Sequence, residues 1–158
     1  MKLFVGLVLA LALSPSLCYA KPLDTDSIQE SVKAERQALK GYFDETNKLL
    51  DVFKDQKNEF RATEMLMDTV NRLQERTGVE DSLLAVYDCV TNVAAQQDAE
   101  QIIRKLYASL ATLTDIDVDA AALVVGSTNS KELAALAEKV KADTQKITDR
   151  YQALSKEQ

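Results

Sequence analysis

The chain contains no histidine and no tryptophan, and its 158 residues include only 4 glycines, 2 prolines and 2 cysteines. Each scarcity excludes something. Without histidine, the side chain that most often serves as general base, metal ligand or near-neutral pH switch is missing. A few isolated glycines cannot build a phosphate-cradling loop. The net charge of −6, from 19 Lys+Arg against 25 Asp+Glu, argues against a nucleic-acid binder, because the phosphate backbone rewards clustered positive charge. Hydrophobic residues still make up 46%, enough for a packed core, so wholesale disorder is not expected.

Residues 1–20 read MKLFVGLVLALALSPSLCYA. One early charge (Lys2), an apolar run from Leu3 to Leu13 and small residues at Cys18 and Ala20 form the pattern of a secretory signal peptide. The run is short for a permanent anchor. A lipoprotein is the competing reading, but Leu17 stands where lipid attachment favours a small residue. The expectation is cleavage after Ala20 and export to a periplasm or extracellular space. Residues 21–158 then carry 18 Lys+Arg against 25 Asp+Glu, or −7, and form a single domain. They keep one cysteine, Cys89, and no N-x-[ST] sequon, which leans toward a bacterial periplasm. One cysteine closes no internal disulfide, so packing must hold the fold.

The same 138 residues hold one proline, Pro22, and three glycines. Sheet proteins need turn chemistry that is nearly absent here, whereas Ala, Leu, Glu, Lys and Gln, all good helix formers, abound. The expected fold is all-α: an elongated antiparallel bundle of three or four long helices with coiled-coil character.

The first helix is expected to start at Asp24 or Asp26, either a suitable N-cap. Its apolar residues run Ile28, Val32, Leu39, Tyr42, Phe43, Leu49, Leu50, Phe53 and Phe60 at mostly helical steps. The stripe resumes at Leu66, Val70 and Leu73. Residues 24–77 therefore read either as one supercoiled helix or as two helices broken in the polar run Lys54–Glu59. Thr77-Gly78 is expected to end the helix, with glycine as a left-handed cap. A further helix is expected from Asp81 or Ser82 with the stripe Leu83, Val86, Tyr87, Val90, Val93 and Ala94; after a kink, stutter or full break near Gln96–Asp98 the stripe resumes at Ala99, Ile103, Leu106, Leu110 and Leu113. Asp115–Gly126 reads as a connector with a short helix at its end. The last helix is expected to open at Ser127 or Ser130. Pairs at i,i+4 (Asp44–Lys48, Asp68–Arg72 and Glu100–Arg104) are expected on wet helix faces.

The last helix carries Leu133, Ala137, Val140, Thr144, Ile147, Tyr151 and Leu154 at alternating steps of four and three. That is a narrow a/d seam of the kind that pairs helices in coiled coils, and it is the candidate surface for a protein partner or a second copy.

Other motifs have plain readings beside their functional ones. Asp115, Asp117 and Asp119 imitate the opening of a calcium loop, but Ala120 and Gly126 stand where Gly and Glu are needed. Capping a helix at the connector is the favoured reading. Cys89 reads as a half-buried hydrophobe at a stripe edge, or as half of an intermolecular disulfide. Met65 and Met67 read as core filling. Tyr42, Phe43, Phe53 and Phe60 read as core, with the lining of an apolar groove as the alternative. No catalytic, cofactor-binding or metal-ligating set is assigned, and no cofactor is expected. The sequence thus points to a non-enzymatic exported bundle acting through protein–protein interaction. The alternative is a carrier of an apolar ligand such as a fatty acid.

Overall fold

The computed structural model describes residues 23–156. The expected signal peptide at residues 1–20 lies outside the described residues. Four helices follow one another: α1 (Thr25–Phe53), α2 (Lys57–Asp88), α3 (Val93–Ser127) and α4 (Lys131–Lys156). No strand occurs among the described residues, so the fold is the all-α bundle that the composition implied.

Helix boundaries follow from local chemistry. Asp24 caps α1, its side chain accepting from the Ser27 N–H at 3.3 Å. The chain breaks at Lys54–Gln56, inside the polar run, and residues 24–77 thus contribute to two helices. α2 does not end at Thr77-Gly78 as expected. Gly78 has no positive φ, and the Thr77 hydroxyl donates back to the Leu73 carbonyl at 3.0 Å, so the helix continues for another ten residues. The stop comes instead at Cys89–Asn92, where the Asn92 side chain accepts from Ala94 and Ala95 N–H at 2.9 and 3.2 Å and starts α3. No kink marks Gln96–Asp98, and Asp115–Gly126 is not a connector, because α3 runs through both.

The α3–α4 turn is held from outside. The Glu59 carboxylate, at the start of α2, accepts from the Asn129 N–H at 2.9 Å and from the Thr128 hydroxyl. These bonds favour the charged form and hold the Glu59 carboxyl below its ordinary value. Ser130 then caps α4, its hydroxyl accepting from the Leu133 N–H at 3.2 Å.

Short connections make consecutive helices antiparallel neighbours. α1 pairs with α2 and α3 with α4, and α2 against α3 joins the two hairpins. Two apolar clusters fill the interior. One is built around Leu39, Leu66, Leu73, Val124, Leu133 and Val140. The other is built around Val32, Leu84, Ile103, Tyr107, Ile147 and Tyr151. Tyr42, Phe43 and Phe60 pack on the first cluster and Phe53 belongs to it, so these aromatics are core.

Polar groups are buried beside the second cluster. Arg150 of α4 is clamped between Glu35 of α1 and Glu80 of α2, with Nε 3.1 Å from a Glu35 oxygen and Nη2 2.9 Å from a Glu80 oxygen. The Arg150 guanidinium also lies 4.9 Å over the Tyr151 ring. Despite Arg150, burial leaves the Glu35 carboxyl above its ordinary value. The phenols of Tyr107 and Tyr151 are pushed up by burial first and by the charge of Glu80 second. Their oxygens are buried and make no hydrogen bond in the observed geometry.

Candidate interaction surface

The narrow seam of α4 is interior. Leu133, Ala137, Val140, Thr144, Ile147 and Tyr151 are all buried, and Leu154 is partly buried against the second cluster. The chain itself therefore covers the stripe that reads as a partner surface. Its narrowness has a local reason. Thr144 and Thr148 bury hydroxyls that donate to the Val140 and Thr144 carbonyls, so polar residue types occupy packed positions that a sequence pattern scores as wet.

α3 departs from the expected pattern in the opposite sense. The sequence stripe Ala99, Ile103, Leu106, Leu110, Leu113 mixes two faces. The inward face carries Glu100, Ile103, Tyr107, Ala111, Thr114, Asp117, Ala121 and Val124. Large aliphatics stand outside: Ile102 is 59% exposed, Ile116 59% and Leu123 63%, with Leu106 and Leu113 also exposed. Together with Ser109 and Ala120 these residues recur at steps of four and three, a heptad stripe. From Ile102 to Leu123 it runs about 32 Å at 1.5 Å per residue.

Charge explains why this face stays outside. Asp117 is fully buried and faces α2, where Arg72 Nε lies 2.9 Å from one carboxylate oxygen and Arg76 pairs with the other. Arg76 also donates to the Leu113 carbonyl at 2.9 Å. These bonds fix the rotation of α3 about its own axis. Turning Ile116 inward would pull Asp117 from its two arginines and leave the mostly buried Arg76 without its carboxylate.

The same bonds set the register of α2 on α3, since Arg76 lies level with Leu113–Asp117. Further along, burial first and the Glu100 carboxylate of α3 second push the Tyr87 phenol up. This antiparallel register carries Val79 level with Ala111 and Val86 level with Arg104. Val79 and Val86 are themselves exposed and extend the apolar surface onto α2.

The remaining sequence candidates do not assemble into a site. Asp117 is an ion-pair residue inside a helix and caps nothing, while Asp115 and Asp119 are exposed on other faces of α3. Among the described residues no three Asp, Glu or Cys side chains gather as a metal site. Cys89 is exposed at the end of α2 instead of half-buried on a stripe. Met65 is exposed and Met67 partly buried, so Met65 is not core filling. Arg72 bonds Asp117 instead of its i,i+4 neighbour Asp68. Glu100–Arg104 forms, but in a nearly buried position where Arg104 also donates to the Leu154 carbonyl at 2.8 Å.

One cleft opens between α1 and α4, with a volume of about 220 Å³. Tyr42 donates to Asp143 at 2.6 Å across it, and Lys146 pairs with the other Asp143 oxygen at 2.7 Å. Burial raises the Asp143 carboxyl, but the bonds from Lys146 and Tyr42 outweigh it and leave the group below its ordinary value. The cleft is smaller than typical small-molecule sites, about 300–1,000 Å³. No helix of the described residues is long and apolar enough to cross a membrane. Comparison of the chain with family models, with curated proteins and with solved structures finds no match.

Proposed function

We propose that this chain is an exported, non-enzymatic helical bundle that acts by binding protein through the outward face of α3. The observation that carries the reading is the second apolar face of that helix. Its inward face packs Ile103, Tyr107 and Val124 among glutamate, alanine, threonine and aspartate, while Ile102, Leu113, Ile116 and Leu123 stand in solvent. Exposed aliphatics scattered singly are ordinary, but a contiguous stripe marks an interaction surface. The stripe presents on the order of 400 Å² of apolar area, within the range of functional surface patches. The acidic balance and the lack of histidine fit a binding role better than catalysis.

A photo-reactive benzophenone tests this reading. It is placed on Leu113→Cys, with Lys139→Cys on the outer face of α4 as control, both in a Cys89→Ser background. Protein adducts in the native exported fluid that form at position 113 and not at 139 are expected. Equal labelling at both positions, or none, would overturn the proposal. Near-stoichiometric lipid in a solvent extract of the native protein would transfer the function to a carrier.

A further inference from the structure

The α3 stripe has features that choose its occupant, and we infer that it pairs with the same stripe of a second copy, antiparallel, to form a two-fold dimer. The inference rests on the interaction reading and names its partner.

Heptad phase fixes how two such stripes meet. In an antiparallel pair, a positions of one helix pack against d positions of the other. One register sets Leu113 against Ser109 of the second copy beside the two-fold axis, Leu106 against Ile116 further out and Ala120 against Ile102 beyond them. In that register Lys105 of each copy flanks the stripe level with Asp119 of the other. Lys105 and Asp119 are exposed, and two-fold symmetry makes the pair twice. Shifting the register by one heptad sets Lys105 beside Gly126 and removes both pairs. A parallel pairing sets Lys105 beside Leu110 of the other copy and Asp119 beside Val124, and makes neither pair.

Within one chain the two charges are fourteen residues apart on a continuous helix, about 21 Å, so they cannot meet each other. Two stripes would together remove on the order of 800 Å² of apolar surface from water. At the apolar share usual for homodimer interfaces this corresponds to about 1,200 Å² in all, the lower limit for a stable, specific contact. Val79 and Val86 beside the stripe would add to it. The expected dimer is therefore real but modest in affinity.

Sedimentation of the full exported protein at concentrations from about 1 to 200 µM, in low and in raised salt, tests the inference at the affinities that interfaces of this size reach. A monomer–dimer equilibrium is expected. Lys105→Asp and Asp119→Lys should each weaken it about tenfold, since each replaces two attractions by two repulsions. The double variant should recover wild-type association to within about threefold, which only an antiparallel contact between copies produces. Ile116→Glu should abolish dimerisation while circular dichroism, and the melting profile at concentrations where the wild type is monomeric, stay those of the wild type. A wild-type monomer throughout, association that survives Ile116→Glu, or a double variant no better than the singles would each overturn the inference. A monomer whose position 113 still cross-links to other proteins sinks the dimer and spares the interaction reading. A monomer with no adduct sinks both.

Discussion

α4 and α3 both carry apolar side chains at alternating steps of three and four, and the two stripes meet opposite fates. In α4, Leu133, Val140, Ile147 and Tyr151 are the interior of the bundle. In α3, Ile102, Leu113, Ile116 and Leu123 face water, while Ala111, Thr114, Asp117 and Ala121 turn inward. A heptad stripe reports that a face seeks a neighbour. It does not report whether that neighbour belongs to the same chain. What decides here is a charge: Asp117 between Arg72 and Arg76 holds α3 in one rotation and leaves its aliphatic face uncovered.

The largest expected effect comes from breaking the buried stripe. Leu133→Ala, at a fully buried position, should cost about 2–5 kcal/mol through lost apolar contact and the cavity left behind, read from urea unfolding. Next comes the lock on α3. Asp117→Ala leaves Arg72 and Arg76 facing an apolar methyl group and should cost about 3 kcal/mol. If α3 instead packed with Ile116 inward, Asp117 would lie toward water and the change would be nearly neutral.

Gly78→Ala sharpens the account of α2. A methyl group at Gly78 meets nothing within 4 Å, and the residue lies inside a continuous helix. The substitution should therefore raise stability by about 0.5–1 kcal/mol. A glycine cap in the left-handed region would give a loss of similar size.

The smallest effect belongs to Glu59. Its carboxyl is held below the ordinary value by the Thr128 hydroxyl and the Asn129 N–H. Its contribution to stability is thus present above the unfolded-state value, about 4.3, and is lost as the pH falls through the lowered folded value. Urea midpoints across this acid range should fall less steeply in Glu59→Gln than in the wild type.

Much of the fold was readable from residue types. Scarce proline and glycine with abundant helix formers implied an all-α bundle. The Asp24 cap, the break in the run Lys54–Glu59 and the opening of α4 at Ser130 were each legible as one of two alternatives, because each depends mainly on neighbouring residues. The misread stretches depend on distant ones. Asp115–Asp119 resembles a connector until Asp117 is seen to be neutralised from α2, forty-one residues away in sequence at Arg76. Thr77-Gly78 resembles a helix end, but helix propensity is overridden where Leu73, Glu80 and Leu84 are packed on both sides of the glycine. The candidate surface was hidden for the same reason. Ile103 and Leu106 look alike as residue types, and only the Asp117 lock tells which of them is inside.

The central claim is that α3 leaves the stripe from Ile102 to Leu123 outside while α4 buries its own stripe. Unfolding free energies of Ile116→Ser and Ile147→Ser, measured side by side at concentrations where the chain is monomeric, test it most directly. Ile147, 1% exposed, should cost at least about 3 kcal/mol when cut to a hydroxyl in the core. Ile116 should change stability by less than about 0.5 kcal/mol, as surface substitutions do. Equal losses at the two positions, or the larger loss at Ile116, would contradict the account.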